Sequence, residues 1–265
     1  MCGTMLHSIT IGDPTAVSVA VLHGILGSGR NWRSFCQRLL QRRADLRFVL
    51  IDLRNHGGSD RYSSPNGLLQ CAEDIQNLQK EAGSFSAIIG HSFGGKVALQ
   101  CSDIFPDSLK EVWALDSNPG ILVNRDKDRN EVIEVFRLLE SIPMPVQKRS
   151  EVRSLLQDGG ASREIARWMV TNLQREAAGY YWSFHLPGVR EMIEDYFKQD
   201  LWSFLEKPKR SCHILRALKS DRWTKDDIQR LENLGKSYHC LDAGHWVHAD
   251  NPEGLLDILS VGLLP

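Results

Sequence analysis

The sequence lacks a long hydrophobic run and an excess of charge of one sign, and each absence excludes a class of protein. A membrane-spanning helix needs about 18 uninterrupted apolar residues, and the sequence contains no such stretch. Lysine plus arginine number 32 against 33 aspartate plus glutamate, which gives a net charge of -1. No overall field therefore attracts nucleic acid or anionic lipid. We expect no nucleic-acid partner and no stable membrane insertion.

Paired cysteines and a leader segment are absent as well. The six cysteines are scattered, with no C-x-x-C pair, which argues against a zinc site and a dense disulfide framework. We therefore expect reduced thiols and no bound metal. The first residues, MCGTMLHSITIG, lack the basic segment and apolar core of a signal peptide. These features predict a cytoplasmic protein, or one in an organelle lumen after removal of a targeting peptide absent from this chain.

What is present is the pattern of a folded α/β protein. The 265 residues are 42% hydrophobic and 25% charged, and this length allows one large domain or two small ones. Continuously apolar runs alternate with helical patterns, which predicts a mostly parallel sheet covered by helices on both faces. The runs that we predict to be central strands are residues 17–22, 48–51, 87–90 and 112–115.

The alternation of strands and helices is interrupted by a helical segment. From about residue 119 to residue 207 one helical pattern follows another, including 163–173 and 189–205, with prolines and glycines as breaks. After residue 208 the alternation of strands and helices resumes. We therefore predict an α/β core formed by residues 1–118 and 208–265, with a helical cap inserted at 119–207.

A G-x-S-x-G motif occupies residues 90–94 as Gly-His-Ser-Phe-Gly, between a strand-like run and a helix-like run. In that context the motif forms a sharp strand-to-helix turn that exposes the serine hydroxyl. The other interpretation is a serine that only caps the helix beside turn glycines. We predict that Ser92 is a nucleophile.

A serine hydroxyl needs a base within hydrogen-bonding reach and an acid that orients the base. His245, in AGHWVHAD before the terminal helix, is the best placed histidine, with His248 as the competitor. Two aspartates follow predicted strands, Asp221 in KSDRW and Asp116 in WALDSNPG. We prefer Asp221, because the chain order Ser92, Asp221, His245 is that of the nucleophile-elbow fold. Asp116 stays open as the alternative.

Acyl transfer also needs two N–H donors for the developing oxyanion. The first is the amide of Phe93, directly after the nucleophile. The second is the amide of Ile25 in HGILGSGRNW, with Leu26 as the alternative. In the same loop we expect His23 to be structural. The stretch IDLRNHGGSD supplies a predicted buried polar brace, formed by Asp52, Arg54, Asn55 and His56.

The segments HGILGSGRNW, DLRNHGGSD, GHSFGGKVAL, WALDSNPG and AGHWVHADNPE together resemble the YbfF-type branch of the α/β-hydrolase superfamily. This branch includes bacterial esterases and abhydrolase domain-containing protein 11. The resemblance implies an α/β-hydrolase fold, cofactor-free hydrolysis of carboxylic esters or thioesters, Ser92 as nucleophile and His245 as base. For the acid it points to Asp116, because members of this branch can lack an acid after the family's seventh strand. This chain nevertheless carries Asp221 there.

Two functions from different classes follow. The leading hypothesis is a serine hydrolase that acts on small-molecule esters or thioesters through a Ser-His-Asp triad and an acyl-enzyme. The alternative is a small-molecule sensor similar to the strigolactone and karrikin receptors, which keep a triad and signal through a mobile cap. Fast multiple turnover would favour the enzyme, and ligand-dependent partner capture would favour the sensor.

Overall fold

Short apolar runs form the strands of the protein, as seen in a computed structural model that describes residues 6–122 and 126–263. Within these residues the strands are β1 (Ser8–Gly12), β2 (Val17–Leu22), β3 (Leu46–Ile51), β4 (Ala87–His91), β5 (Glu111–Leu115), β6 (Leu173–Glu176), β7 (Gly179–Trp182), β8 (Ser211–Ala217) and β9 (Tyr238–Leu241). All except β6 and β7 belong to one sheet, in the order β1-β3-β2-β4-β5-β8-β9. Only β1 is antiparallel to its neighbour in this sheet.

Helices cover both faces of this sheet. The α-helices of the described residues, including those of the insert, are α1 (Arg33–Arg42), α2 (Leu68–Ala82), α3 (Phe93–Ile104), α4 (Asp126–Ser141), α5 (Arg149–Asp158), α6 (Arg163–Thr171), α7 (Leu186–Lys198), α8 (Trp202–Glu206), α9 (Lys225–Glu232), α10 (Val247–Asp250) and α11 (Pro252–Gly262). The side chains of β2 alternate between two apolar clusters: Val19 and Val21 pack with α1 and α11, whereas Ala20 and Leu22 pack with α2 and α3. The predicted fold class is confirmed.

The four predicted central strands are β2, β3, β4 and β5, and all four lie inside the sheet. The sequence patterns did not predict β1, which forms an edge. Because β1 has one partner strand, its side chains are less buried than those of β2. It therefore lacks the continuous apolar run by which the central strands were found.

The insert between β5 and β8 differs from the all-helical prediction in two places. The predicted helix 163–173 ends at Thr171, and β6 and β7 form an antiparallel hairpin directly after it. Gly179 begins β7 with φ +144°, a backbone conformation that favours glycine. The predicted helical run 189–205 is divided into α7 and α8. The division of the chain into a core and a cap stays a prediction.

For the predicted absence of a membrane span and of a metal site, the structure gives observations on the described residues only. In that part of the chain no helix is both long enough and apolar enough to cross a bilayer. The same part holds no cluster of three or more histidine, cysteine, aspartate or glutamate side chains that could bind a metal ion. The described cysteines are free thiols: Cys36, Cys71, Cys101, Cys212 and Cys240. Cys2 lies outside the described residues.

Candidate active site

A cavity of about 190 Å³ contains both Ser92 and His245 in its wall. Ser92 directly follows β4, Asp116 directly follows β5, and the loop that carries His245 follows β9. The carboxyl ends of parallel strands lie at the same edge of a sheet, which brings these loops together. The insert contributes apolar lining residues from α4, α6 and α7, namely Val132, Val135, Ile165, Trp168, Ile193, Tyr196 and Phe197.

Ser92 occupies a strained turn between β4 and α3. Its backbone has φ 52° and ψ -116°, a combination that non-glycine residues rarely adopt. The turn is held by the Ser92 amide, which donates to the carbonyl of Leu115 at 3.0 Å, and by the Ser117 hydroxyl, which donates to the Ser92 carbonyl at 2.6 Å. The side chain remains 8% exposed. These bonds fix the serine where the cavity reaches it.

The two glycines of the motif are required by close backbone contacts. A Cβ at Gly90 would lie 2.0 Å from the carbonyl oxygen of Gly94. A Cβ at Gly94 would lie 2.5 Å from the carbonyl oxygen of His23. Because both obstacles are backbone atoms, neither can move aside without displacing the turn. The tight strand-to-helix turn therefore requires both glycines of the motif, and capping of the helix alone does not explain them.

His245 is oriented by a buried aspartate. Its Nδ1 donates to Oδ2 of Asp116 at 2.7 Å, and the Asp116 side chain has no exposed surface. This bond fixes the tautomer in which Nε2 carries the lone pair. A histidine in that state can accept a proton from a nearby hydroxyl.

Asp116 is held as a carboxylate by its other partners. Its Oδ1 accepts from the indole N–H of Trp223 at 2.7 Å and from the amide of Ala217 at 3.1 Å. Burial by itself raises the pKa of Asp116, but the hydrogen bond and charge of His245 and the hydrogen bond from Trp223 outweigh it and hold the pKa below its usual value. The acid beside His245 is therefore ionised at neutral pH.

This geometry favours Asp116, the alternative, over the predicted Asp221 as the acid that orients His245. Asp221 lies in the wall of the cavity, next to Arg222. Each imidazole nitrogen offers one position for a hydrogen bond, and at Nδ1 of His245 that position is filled by Asp116. Asp116, and not Asp221, therefore occupies the position at Nδ1 from which the ring of His245 is oriented. The order of the three residues along the chain had favoured Asp221, whereas the observed hydrogen bond favours Asp116.

The two residues predicted to supply the oxyanion donors, Ile25 and Phe93, both line the cavity that contains Ser92. Phe93 is the first residue of α3, where backbone N–H groups have no partner within the helix. The alternative donor Leu26 is already engaged, because its amide donates to Nε2 of His56 at 3.1 Å. Leu26 also has φ 60°, which turns the chain at this point. Ile25 lines the cavity and stays the predicted second donor.

His91, the variable residue before the nucleophile, joins the turn to the loop of the base. Its Nε2 donates to the backbone carbonyl of His245 at 2.8 Å, and the two rings are 4.7 Å apart. Burial, followed by the neighbouring charges of His245 and His248, lowers the pKa of His91 well below its usual value. A neutral His91 therefore holds the His245 loop without adding a positive charge beside the base.

The expected structural roles of His23 and of the polar brace agree with the observed contacts. His23 Nδ1 donates to the carbonyl of Gly24 at 2.7 Å, and its Nε2 accepts from the amide of Leu53 at 3.0 Å. His56 likewise donates to the carbonyl of Arg54 at 2.9 Å. Both rings therefore hold loop backbone beside the cavity. Asp52 supports the same loops by accepting from the amides of Gly29 and Gly58.

Lys96 is a buried residue near the site for which the sequence analysis assigned no role. Its ammonium donates to the carbonyls of Gly120, Tyr196 and Gln199 at 2.8, 2.9 and 2.8 Å. The side chain thereby ties α3 to the end of α7 in the insert. The signal in the sequence was the lysine of GHSFGGKVAL, which lies between two glycines and the apolar run at 97–99.

Known proteins similar to this chain include lipases and esterases. A protein from Danio rerio named sn-1-specific diacylglycerol lipase ABHD11 is 28% identical over 266 residues, which cover 97% of this chain and 80% of the relative. Esterase YbfF from Escherichia coli is 21% identical over 242 residues, which cover 90% of this chain and 89% of the relative. These matches confirm the resemblance that the motifs indicated.

Solved structures and a family model agree with these relatives. A marine microorganism esterase superposes with a TM-score of 0.83 at 25% identity, covering 96% of this chain and 98% of that one. The family model described as the alpha/beta hydrolase family matches residues 19–258, from β2 to the last helix. The match spans most of the chain and both sides of the insert, and the chain therefore belongs to the alpha/beta hydrolase family.

Proposed function

We propose that the protein is a serine hydrolase that cleaves carboxylic esters or thioesters through an acyl-enzyme on Ser92. The observation that carries the proposal is the hydrogen bond between Asp116 and His245 at a cavity that also contains the strained Ser92. A nucleophile, a base and an acid that orients the base together perform serine acyl transfer. The names of the similar proteins, a diacylglycerol lipase and an esterase, support ester substrates.

Acylation begins when His245 Nε2 takes the hydroxyl proton of Ser92 as Oγ attacks the substrate carbonyl carbon. The negative charge that develops on the carbonyl oxygen is stabilised by the amides of Ile25 and Phe93. The tetrahedral intermediate then collapses. His245 returns the proton to the alcohol or thiol that leaves, and the acyl group stays on Ser92.

Deacylation repeats these steps with water. His245 takes a proton from water as its oxygen attacks the acyl carbon, and the same two amides stabilise the oxyanion. Collapse releases the carboxylic acid and restores the Ser92 hydroxyl. Asp116 stays ionised throughout and stabilises the imidazolium that forms on His245 in both halves of the reaction. No cofactor takes part in this proposed sequence.

Turnover of p-nitrophenyl acetate and butyrate, and of the matching thioesters, tests the proposal. Ser92→Ala removes the nucleophile and should lower kcat by a factor on the order of 10³ or more. Ser102→Ala is the matched control, because Ser102 is a buried serine of helix α3, the helix that begins directly after Ser92. It should keep most of the activity. Equal turnover by Ser92→Ala and the unmodified protein would contradict the proposal.

The sensor hypothesis is not favoured, because the similar proteins are named for lipase and esterase activities. The two hypotheses differ in kinetics. A hydrolase shows many turnovers per molecule and an unchanged melting temperature after the substrate is consumed. A sensor would show at most one slow turnover and a lasting shift in melting temperature.

A further inference from the structure

One helix of the insert separates the cavity that contains Ser92 from a second cavity. The second cavity has a volume of about 260 Å³ and is lined by residues of α4 and α7. Ile193 and Phe197 line both cavities. They lie four positions apart on α7 and therefore share one face of the helix. Both are 6% exposed. We call these two side chains the partition.

The partition is held in place from the core. Lys96 caps the last turn of α7 through the carbonyls of Tyr196 and Gln199. The carbonyl of Phe197 accepts from the amide of Leu122 at 2.8 Å. On another side, the Asp195 carboxylate accepts from the amide of Leu68, at the start of α2, at 2.8 Å. A helix fixed by so many bonds cannot move aside easily for a longer ligand.

The chemistry of the proposed reaction decides which part of the substrate points toward the partition. His245 returns its proton to the leaving group, so the leaving group lies on the side of His245 and its neighbour Trp246. The rings of Phe93 and Tyr196 are 5.8 Å apart, and those of Tyr196 and Phe197 are 5.6 Å apart. This aromatic path leads from the predicted oxyanion donor to the partition. The acyl chain therefore extends along it.

We propose that Ile193 and Phe197 end the acyl pocket and set the longest acyl chain that the enzyme accepts. This inference rests on the proposed function. A chain that reaches the partition meets buried side chains fixed by α7 and cannot extend further. Removing side-chain atoms from the partition joins the two cavities, and longer acyl chains then have additional space in which to bind, lined by charged as well as apolar residues.

A series of p-nitrophenyl esters tests the proposal: acetate, butyrate, octanoate, dodecanoate and palmitate, each below the concentration at which it aggregates. In the unmodified protein kcat/KM should fall steeply between butyrate and dodecanoate. Ile193→Ala and the milder Phe197→Leu should raise the ratio of kcat/KM for dodecanoate over butyrate by roughly tenfold or more. Phe136→Leu is the matched control, because Phe136 lines only the second cavity. Its ratio should stay at the unmodified value.

The outcomes separate this inference from the proposed function. Turnover of none of the esters contradicts the proposed function itself. Turnover of butyrate together with equally efficient turnover of palmitate by the unmodified protein contradicts the partition, and this measurement needs no folded variant. An unchanged ratio in both Ile193→Ala and Phe197→Leu, each of which still unfolds cooperatively and cleaves butyrate, also contradicts it.

Discussion

Asp116 has no exposed surface, and its two carboxylate oxygens have different partners. Oδ2 accepts from His245, whereas Oδ1 accepts from Trp223 and Ala217. A buried carboxylate is stable only when such donors replace water. The residue thus combines a structural bond to β8 with the orientation of the proposed base. Asp221 lies at the cavity wall, where it can contact substrate but does not orient His245 through Nδ1.

Replacing each aspartate by asparagine separates these positions. Asp116→Asn keeps the shape of the side chain but removes its charge, so it no longer selects the correct tautomer of His245 or stabilises the imidazolium. We expect kcat to fall by a factor on the order of 10³ to 10⁴. Asp221→Asn should change kcat far less. The measurement is kcat on p-nitrophenyl butyrate with melting temperatures for both variants, and the opposite order of effects would restore Asp221 as the acid.

At the residue scale the sequence singled out Ser92 and His245 more clearly than the aspartate that contacts His245. Ser92 and His245 lie in local motifs whose flanking residues determine the turn. Asp116 and Asp221 both follow strands, and nothing local distinguishes them. What distinguishes the two aspartates is the path of the chain at the end of β8. There the Ala217 amide and, beyond the strand, the Trp223 indole both donate to Asp116. Those contacts join residues that are far apart in the sequence, and they produce no pattern along it.

Helix α3 links the elements around the site. Its first residue follows Ser92, and Lys96, one turn later, reaches the end of α7. A lysine in a helix usually lies in solvent, and burial of its charge is costly unless polar atoms surround the ammonium. Here three backbone carbonyls do so. One side chain therefore couples the nucleophile helix to the helix that carries the partition.

Lys96→Met tests this link. The substitution keeps the aliphatic volume but leaves the carbonyls of Gly120, Tyr196 and Gln199 without their donor. We expect the free energy of unfolding to fall by roughly 2–4 kcal/mol and amide exchange to rise at the end of α7. Lys80→Met is the control, because Lys80 is an exposed lysine of helix α2. Equal stability and equal exchange in Lys96→Met and Lys80→Met would show that the link contributes nothing.

At the element scale, strands with both faces covered were predictable and elements with one partner were not. Strands β2 to β5 read as continuous apolar runs because helices cover them on both sides. Hairpin β6–β7 follows an amphipathic helix, and its strands are short and mostly polar or half-buried. Its apolar residues could belong to a helix or a strand, and contact with the rest of the insert decides between them.

Over the whole molecule, several buried or half-buried histidines remain neutral at neutral pH. Burial lowers the pKa of His56 to about 3, and burial together with His245 lowers that of His248 to about 4. The pKa of His213, which lies on β8 beside β9, is lowered to about 4 by burial and by the neighbouring His239. Each of these rings is part of the packing rather than of the proposed chemistry. Their common consequence is a stability that depends on pH.

The sign of that dependence follows from proton binding. Below about pH 6.5 the unfolded chain takes up protons on these histidines, whereas the folded protein takes them up only near pH 4 and below. The contribution of these histidines to the free energy of unfolding is therefore fully present above about pH 6.5 and is lost as the pH falls toward 4. Each such histidine adds a slope of about 1.4 kcal/mol per pH unit within its window.

Chemical denaturation between pH 4 and pH 8 measures this slope. His248→Gln should reduce it by about 1.4 kcal/mol per pH unit between about pH 4 and pH 6.5, because one proton-binding group is removed from the unfolded chain. The ring of His248 lies 4.4 Å from that of Trp32, so the variant also loses some packing, which shifts the curve without changing its slope. A flat curve below pH 6.5, or an identical slope in the variant, would contradict the prediction.

The proposed chemistry of this α/β hydrolase depends first on Ser92 as the nucleophile. The most direct measurement is reaction of the intact protein with a fluorophosphonate, followed by mass spectrometry of its peptides. We expect a single adduct on the peptide that contains Ser92, and no adduct in Ser92→Ala. Equal labelling of Ser92→Ala, or an adduct on another residue of the unmodified protein, would contradict it.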